Sequence, residues 1–251
     1  MDLVIINQPQ VYPYRRVYQF AKRLFDIVCC IIALPILLPL WVICVVLIRA
    51  DSAGPALFVQ ERIGKGGRPF RMYKFRTMQH NLDNSAHRAF MKAFVNGEIG
   101  DEENTSTGAA QYVAARAFLH AFTGSTANHT ETEKIYKPVQ DSQITRVGRI
   151  LRKTSLDELP QIINILKGEM SLVGPRPNVP WEVEEYQPWH YERLEVLPGL
   201  TGLAQVRGRS GISFNHIVQC DIEYIEKQCL ALDVQILWAT FASVARGVGA
   251  K

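Results

Sequence analysis

The longest apolar stretch of the chain runs from Ile27 to Ile48, 22 residues without a charge, all apolar except Pro35 and Pro39. About 20 such residues cross the hydrocarbon core of a bilayer, so the run predicts a membrane helix. It starts too late and runs too long for a cleaved leader, and it ends at Arg49 rather than at a strong small-residue site. Two geometries compete. A simple span would place Arg15, Arg16, Lys22 and Arg23 outside if the large domain after Arg49 is cytosolic, against the bias that keeps Lys and Arg in the cytosol. Pro35 and Pro39 also stand mid-run, where each removes a helical hydrogen bond and favours a kink. A helix that enters, bends near Pro39 with help from Pro35, and leaves by the same face satisfies both facts. Each arm of about 11 residues would reach about 17 Å, enough for one leaflet.

After the run, Leu57 to Gln60 and Phe70 to Phe75 predict short strands joined by the turn-rich Gly64-Lys65-Gly66-Gly67-Arg68-Pro69, a hairpin rich in Arg and Lys. Residues 79–143 read as a distinct insert, with predicted helices over 85–95 and 109–122 around an acidic, polar middle, and are expected to form a mobile cover or spacer. Farther on, Arg146, Arg149 and Arg152 share one helical face. Ser155 and Glu158 have capping-box spacing before the apolar stretch Ile162–Leu166, while Pro160 moves the predicted cap nearer Leu156 or Asp157. Tyr186, Trp189 and Tyr191 read as core. Near the end, Val234, Leu237, Trp238, Phe241 and Val244 form an apolar stripe that suits either core packing or a membrane surface, with Trp238 favouring the latter.

Composition narrows the classes. Hydrophobic residues are 47% of the 251, and removing the run leaves about 43%, ordinary for a water-soluble domain. That excludes a polytopic transporter and a largely disordered chain. The net charge of +4 is uneven: residues 1–78 carry 11 Lys and Arg against 4 Asp and Glu, residues 79–143 carry 5 against 8, and residues 144–251 carry 12 of each. The positive excess therefore surrounds the apolar run, where anionic head groups attract it. No nucleic-acid motif accompanies it, so no nucleic-acid partner is expected. The five cysteines lack metal or disulfide-framework spacing and fit a reducing compartment, and His80, His87, His120 and His129 lack metal-site spacing.

Asp157 and Glu158 have a plain reading as first-turn helix acids. Their company points further. Two rigid loops rich in Pro and Gly present arginine: Gly174-Pro175-Arg176-Pro177, and Arg207-Gly208-Arg209 after Pro198-Gly199-Leu200-Thr201-Gly202. Arginine forks suit phosphate oxygens, and adjacent carboxylates suit Mg²⁺, which commonly accompanies phosphates. With a membrane anchor, this suggests phosphoryl chemistry on a lipid substrate. These features leave open a lipid-phosphate hydrolase and a non-enzymatic membrane scaffold.

Several longer motifs carry a family resemblance: Lys22-Arg23-Leu24-Phe25-Asp26, Tyr73-Lys74-Phe75-Arg76-Thr77-Met78, Ser155-Leu156-Asp157-Glu158-Leu159, the stretch from Lys167 to Pro177, and Pro198 to Val206. Together they resemble the bacterial sugar transferases, the monotopic polyprenyl-phosphate phosphoglycosyl transferases, from about Lys22 to the C-terminus except for the insert. The resemblance implies a cytosolic α/β (α+β-like) catalytic domain over residues 50–251. Before it would come an extension (1–21) and a re-entrant membrane helix (22–49), and amphipathic helices would lie on the membrane. It implies transfer of a sugar-1-phosphate from a UDP-sugar to undecaprenyl phosphate with release of UMP, at the bacterial inner membrane on its cytoplasmic face. Asp157 would be the nucleophile and Mg²⁺ ligand, and Glu158 its partner in the acid dyad. Lys74, Arg76, Arg152, Arg176 and Arg209 would contact substrate phosphates. Larger relatives add spanning helices and another domain before the core, so a short-form member is expected. Two departures stand out: Leu38-Pro39 replaces the Ser-Pro kink of some relatives, and the insert has no counterpart in the smallest ones. The sequence leaves open which sugar is transferred and whether the chain forms a homo-oligomer.

Overall fold

In a computed structural model, residues 14–79, 85–96, 143–207 and 212–245 are described. The apolar run lies inside one long helix, α1 (Tyr14–Asp51), which contains both Pro35 and Pro39 and begins eight residues before Lys22. Its two faces differ. Cys30, Leu37, Trp41, Cys44 and Ile48, spaced three, four or seven residues apart as one helical stripe requires, contact the rest of the chain together with the adjacent Leu40. The opposite face leaves Phe20, Ile32, Ile36, Val42 and Val46 each at least 60% exposed. Polar contacts fasten the flanks. Arg23 donates to the Ile165 and Leu166 carbonyls, Asp26 accepts from Leu172 N at 3.2 Å, and Asp51 accepts from Val147 N at 2.9 Å. Both flanks of the apolar run therefore rest on the same domain.

The predicted hairpin forms, with longer strands: β1 (Leu57–Ile63) pairs antiparallel with β2 (Pro69–Phe75), placing Leu57 opposite Phe75 and Ile63 opposite Pro69. The tight turn needs Gly66 and Gly67, whose φ angles are 67° and 74°. A second sheet has two short parallel strands, β3 (Ser171–Val173) and β4 (Gly199–Thr201). Gly174 and Gly199 let their backbones meet; a Cβ on Gly199 would stand 2.1 Å from Gly174 N. Among the described residues the architecture is thus mixed helix and sheet, with two separate two-stranded sheets rather than one continuous α/β sheet.

The remaining helices among the described residues are α2 (Ser85–Val95), α3 (Arg146–Lys153), α4 (Ile162–Lys167), α5 (Pro180–Val183), α6 (Leu203–Arg207), α7 (Phe214–Lys227) and α8 (Leu230–Ala245). Single 3₁₀ segments cover Leu156–Gln161 and Pro188–Leu194. Thr145 caps α3, its Oγ1 accepting from Gly148 N at 2.9 Å. The capping box that the spacing of Ser155 and Glu158 suits does not form, and the N-cap position is Ser155 rather than Leu156 or Asp157. Ser155 adopts a left-handed conformation (φ 56°, ψ 18°) without a side-chain cap, and Pro160 sits inside a 3₁₀ segment that passes into α4. Glu158 is instead drawn away by a lysine, as described below.

The expected helix over 85–95 forms, whereas that over 109–122 lies outside the described residues. Contrary to the spacer reading, α2 buries Met91, Phe94 and Val95 against Tyr186, Phe214 and Val218. This segment of the insert is core. Tyr186 is core as expected, and Trp189 packs against the same cluster. On α8 the stripe divides: Leu237 packs inward, while Val234, Trp238 and Phe241 are 50%, 61% and 67% exposed.

Candidate active site

Asp157 and Glu158 enter the site on the 3₁₀ segment between α3 and α4. Its position is fixed from below by Asn164, which is fully buried. The Asn164 side chain accepts from Tyr73 N at 3.1 Å and donates to the Arg71 carbonyl at 2.7 Å. The amide thus pairs with the edge of β2 as a neighbouring strand would, seating α4 on the hairpin. The acid pair then faces Lys74, one residue farther along β2.

Glu158 is the engaged acid. Its Oε1 lies 2.8 Å from Lys74 Nζ and 3.6 Å from Arg176 Nη1. Burial would raise its pKa, but Lys74, Arg176 and Arg62 outweigh burial and hold it below the usual glutamate value. Burial lowers Lys74, opposed by the same Glu158. Asp157 differs. Among the described residues no hydrogen bond or ion pair engages its carboxylate, and burial together with the Glu158 charge raises its pKa, against the pull of Lys74, Arg152 and Arg176. One acid is tied down and the other is left available beside cationic groups, the arrangement expected of a nucleophile or a metal ligand.

A small recess opens here, lined by Arg62, Met72, Lys74, Glu158, Arg176 and Leu200 among others. Arg176 comes from the Gly-Pro-Arg-Pro loop after β3, and its side chain is about half exposed. Arg62, on β1, was not singled out by the sequence. It donates to the Pro177 carbonyl at 2.9 Å and to Gln60 Oε1 at 2.7 Å, while its Nε is buried without a protein partner. Burial, reinforced by neighbouring Arg176, lowers its pKa to about 10. A strand position alternating with surface residues gave no signal that its guanidinium turns toward a loop more than 100 residues away.

The other expected phosphate contacts divide. Lys74 and Arg176 are at the site. Arg152 lies beside it, donating to Thr77 Oγ1 at 2.9 Å, with its charge acting on Asp157. Arg76 is not at the site. It is 6% exposed and donates to the Ala53 carbonyl and to Ser52 O and Oγ at 2.7–2.8 Å, bracing the chain just after α1. The physical reason is local: β2 ends at Phe75, so Arg76 leaves the pleat that directs Lys74 to the recess. Arg209 lies outside the described residues. Arg146 and Arg149 are exposed on the outer face of α3.

As a test of the expected Mg²⁺, the donor set offers two adjacent carboxylates, one of them already paired. Among the described residues no group of three or more His, Cys, Asp or Glu forms a cage. Mg²⁺ commonly binds through one or two carboxylates plus substrate phosphates, so Asp157 fits as the protein ligand of an ion shared with a diphosphate.

Residues 17–247 match the family described as "Bacterial sugar transferase". The "Undecaprenyl-phosphate galactose phosphotransferase" of Salmonella typhimurium is 39% identical over 94% of this chain and 43% of its own length. The "UDP-N-acetylgalactosamine-undecaprenyl-phosphate N-acetylgalactosaminephosphotransferase" of Aeromonas hydrophila is 34% identical over 94% of this chain and 46% of its own. The "Exopolysaccharide production protein ExoY" of Sinorhizobium fredii is 34% identical over 91% of this chain and 87% of its own. The chain thus spans less than half the length of the first two relatives and most of the third.

Proposed function

Because the chain belongs to the bacterial sugar transferase family, we propose that it transfers a sugar-1-phosphate from a UDP-sugar to undecaprenyl phosphate and releases UMP. The observation that carries this reading is the contrast within the acid pair: an unengaged Asp157 beside a Glu158 held by Lys74 and Arg176. In the first step an Asp157 carboxylate oxygen attacks the phosphorus that bears the sugar. A P–O bond forms to aspartate, and the P–O bond to UMP breaks, its electron pair leaving on UMP. In the second step an oxygen of the lipid phosphate attacks the same phosphorus, and the aspartyl bond breaks to restore the carboxylate. Splitting one displacement into two is the usual gain of covalent catalysis.

The residues around Asp157 have separate tasks. Arg176, half exposed at the mouth, binds donor phosphate oxygens, and Arg62 adds positive charge at the floor of the recess. Lys74 and Glu158 hold each other, so the lysine is fixed at the phosphates instead of folding onto Asp157. Arg152 favours the ionised, nucleophilic form of Asp157. When bound at Asp157, Mg²⁺ would neutralise diphosphate charge.

A re-entrant, monotopic attachment at the cytoplasmic face of the inner membrane is part of the same proposal. Support comes from α1, whose inward stripe touches the domain from Cys30 to Ile48 while its outer face is apolar and exposed. A span that left the domain in water could not keep contact with it along about 27 Å of helix. The exposed Val234, Trp238 and Phe241 of α8 offer a second lipid contact.

The test is UMP release from UDP-sugars by the full chain in lipid nanodiscs, with and without undecaprenyl phosphate and Mg²⁺. Release that depends on both, is lost in Asp157→Asn, and is accompanied by a phosphosugar mass increment on Asp157 supports the reading. Release of inorganic phosphate from the lipid instead would make the chain a hydrolase. A panel of UDP-sugars in the same assay identifies the donor.

A further inference from the structure

Arg176 can act at the site only if its loop stays in place, and the loop is held by a residue that does not line the recess. We propose that Arg193, on the 3₁₀ segment Pro188–Leu194, is a positioning residue that clamps the arginine loop, with Asp221 of α7 as its counter-charge. Arg193 is 3% exposed. Its Nη1 donates to Asn178 Oδ1 at 2.8 Å and to the Tyr186 hydroxyl at 3.0 Å, and its Nη2 donates to the Arg176 carbonyl at 3.1 Å. The same Nη2 lies 2.6 Å from Asp221 Oδ2, and the guanidinium sits over the Tyr186 and Phe214 rings. From the other side the loop is secured by β1: Ile63 N donates to the Asn178 carbonyl, and Arg62 donates to the Pro177 carbonyl.

The arrangement has a physical logic. A loop that presents one arginine would be repelled by a second cation beneath it, and Asp221 cancels that charge at the point of burial. A planar fork with several donors can hold a side-chain oxygen and a main-chain carbonyl of the loop together, which a single ammonium cannot. The rings beneath Arg193 belong to the cluster that α2 completes with Met91, Phe94 and Val95. The insert helix thus reaches the arginine loop through the clamp. Misplacing a positioned group by about 1 Å can cost about a hundredfold in rate, so a clamp that only holds the loop of Arg176 still matters to the reacting atoms.

The rate consequence rests on the function proposed above, whereas the clamp itself can be read without it. In the full chain, Arg193→Lys keeps the charge against Asp221 and loses the fork. Hydrogen exchange at the Gly174, Arg176 and Asn178 amides should quicken, and kcat/KM for UMP release should fall about tenfold or more. In an Arg176→Ala background the same change should cost less than about twofold, since residues that act through one another are not additive. If Arg193→Lys does not fold, Asn178→Ala removes only the side-chain acceptor of the loop, leaving the Arg176 carbonyl, and should show the same pattern at smaller size. Unchanged exchange, or losses that multiply with Arg176→Ala, would overturn the clamp. A wild-type chain that releases no UMP would instead remove the transferase reading, and the exchange data would still decide the clamp.

Discussion

Asp233 and Asp157 are both partly or wholly withdrawn from water, and the fold satisfies one and not the other. Asp233, on α8, is fully buried and accepts from Tyr224 at 2.7 Å and from Tyr18 and Lys22 at 2.9 Å each. Those donors come from α1 and α7, so the carboxylate joins the long N-terminal helix to the C-terminal helices. The Tyr224 hydroxyl also lies 3.2 Å from the Val173 carbonyl, which brings β3 beside the network. Asp157 has no such partners among the described residues, although cations surround it. Saturated buried carboxylates hold structure together, and an unsaturated one beside cations is available for chemistry.

Exchanging the two acids for neutral residues breaks this comparison most directly. Asp157→Asn should lower kcat for UMP release by about ten-thousandfold, as expected for a lost nucleophile, while the melting temperature stays level or rises. Asp233→Ala should do the reverse. Removing one partner of a buried ion pair costs about 3 kcal/mol, read as a lower melting temperature, with activity per folded molecule largely kept. If folded Asp233→Ala is as inactive as Asp157→Asn, the division between the two acids fails.

The arginines sharpen the same contrast at smaller size. Arg176→Ala should lower kcat/KM about a hundredfold, the scale of a lost charge-stabilising donor, with little change in stability. Arg76→Ala should instead cost about 2 kcal/mol of stability, because its bonds to Ser52 and Ala53 are structural. Steady-state kinetics and thermal unfolding on the same preparations separate the two. Equal kinetic losses would return Arg76 to the phosphate site.

Sequence patterns made some of this visible and hid the rest for definite reasons. The apolar run, the hairpin and the helix over 85–95 were legible because hydrophobic periodicity and turn glycines are local signals. The acid pair stood out only through its motif and neighbours. Arg76 could not be separated from Lys74, because the two differ by where β2 stops, which is set by tertiary contacts. Arg62 and Arg193 were hidden for a related reason: the contacts that tie them to the arginine loop, to the Pro177 carbonyl and to Asn178 and the Arg176 carbonyl, join separate elements. The role of α2 was missed because a polar, acidic insert has the composition of a spacer, while the three residues that matter sit on one helical face.

The smallest expected effect concerns the residue that introduces the acid pair. Ser155 is the one non-glycine with positive φ among the described residues, and it immediately precedes Leu156 and Asp157. An L-residue pays about 1 kcal/mol for this conformation, and no side-chain cap offsets it. The backbone bond from Glu158 N to the Ser155 carbonyl, 3.3 Å, ties the bend to the acid pair. Ser155→Gly removes the steric cost but frees the unfolded chain, so stability should change by less than about 1 kcal/mol. The same freedom loosens the approach to Asp157, and kcat should fall by about two- to fivefold, consistent with the cost of imperfect positioning. Ser155→Val should be worse in both respects, since a β-branched residue resists the left-handed region. Unfolding curves and kcat for the two variants decide the point: if Ser155→Gly leaves kcat unchanged, the strained bend is tolerated by the site and does not serve it.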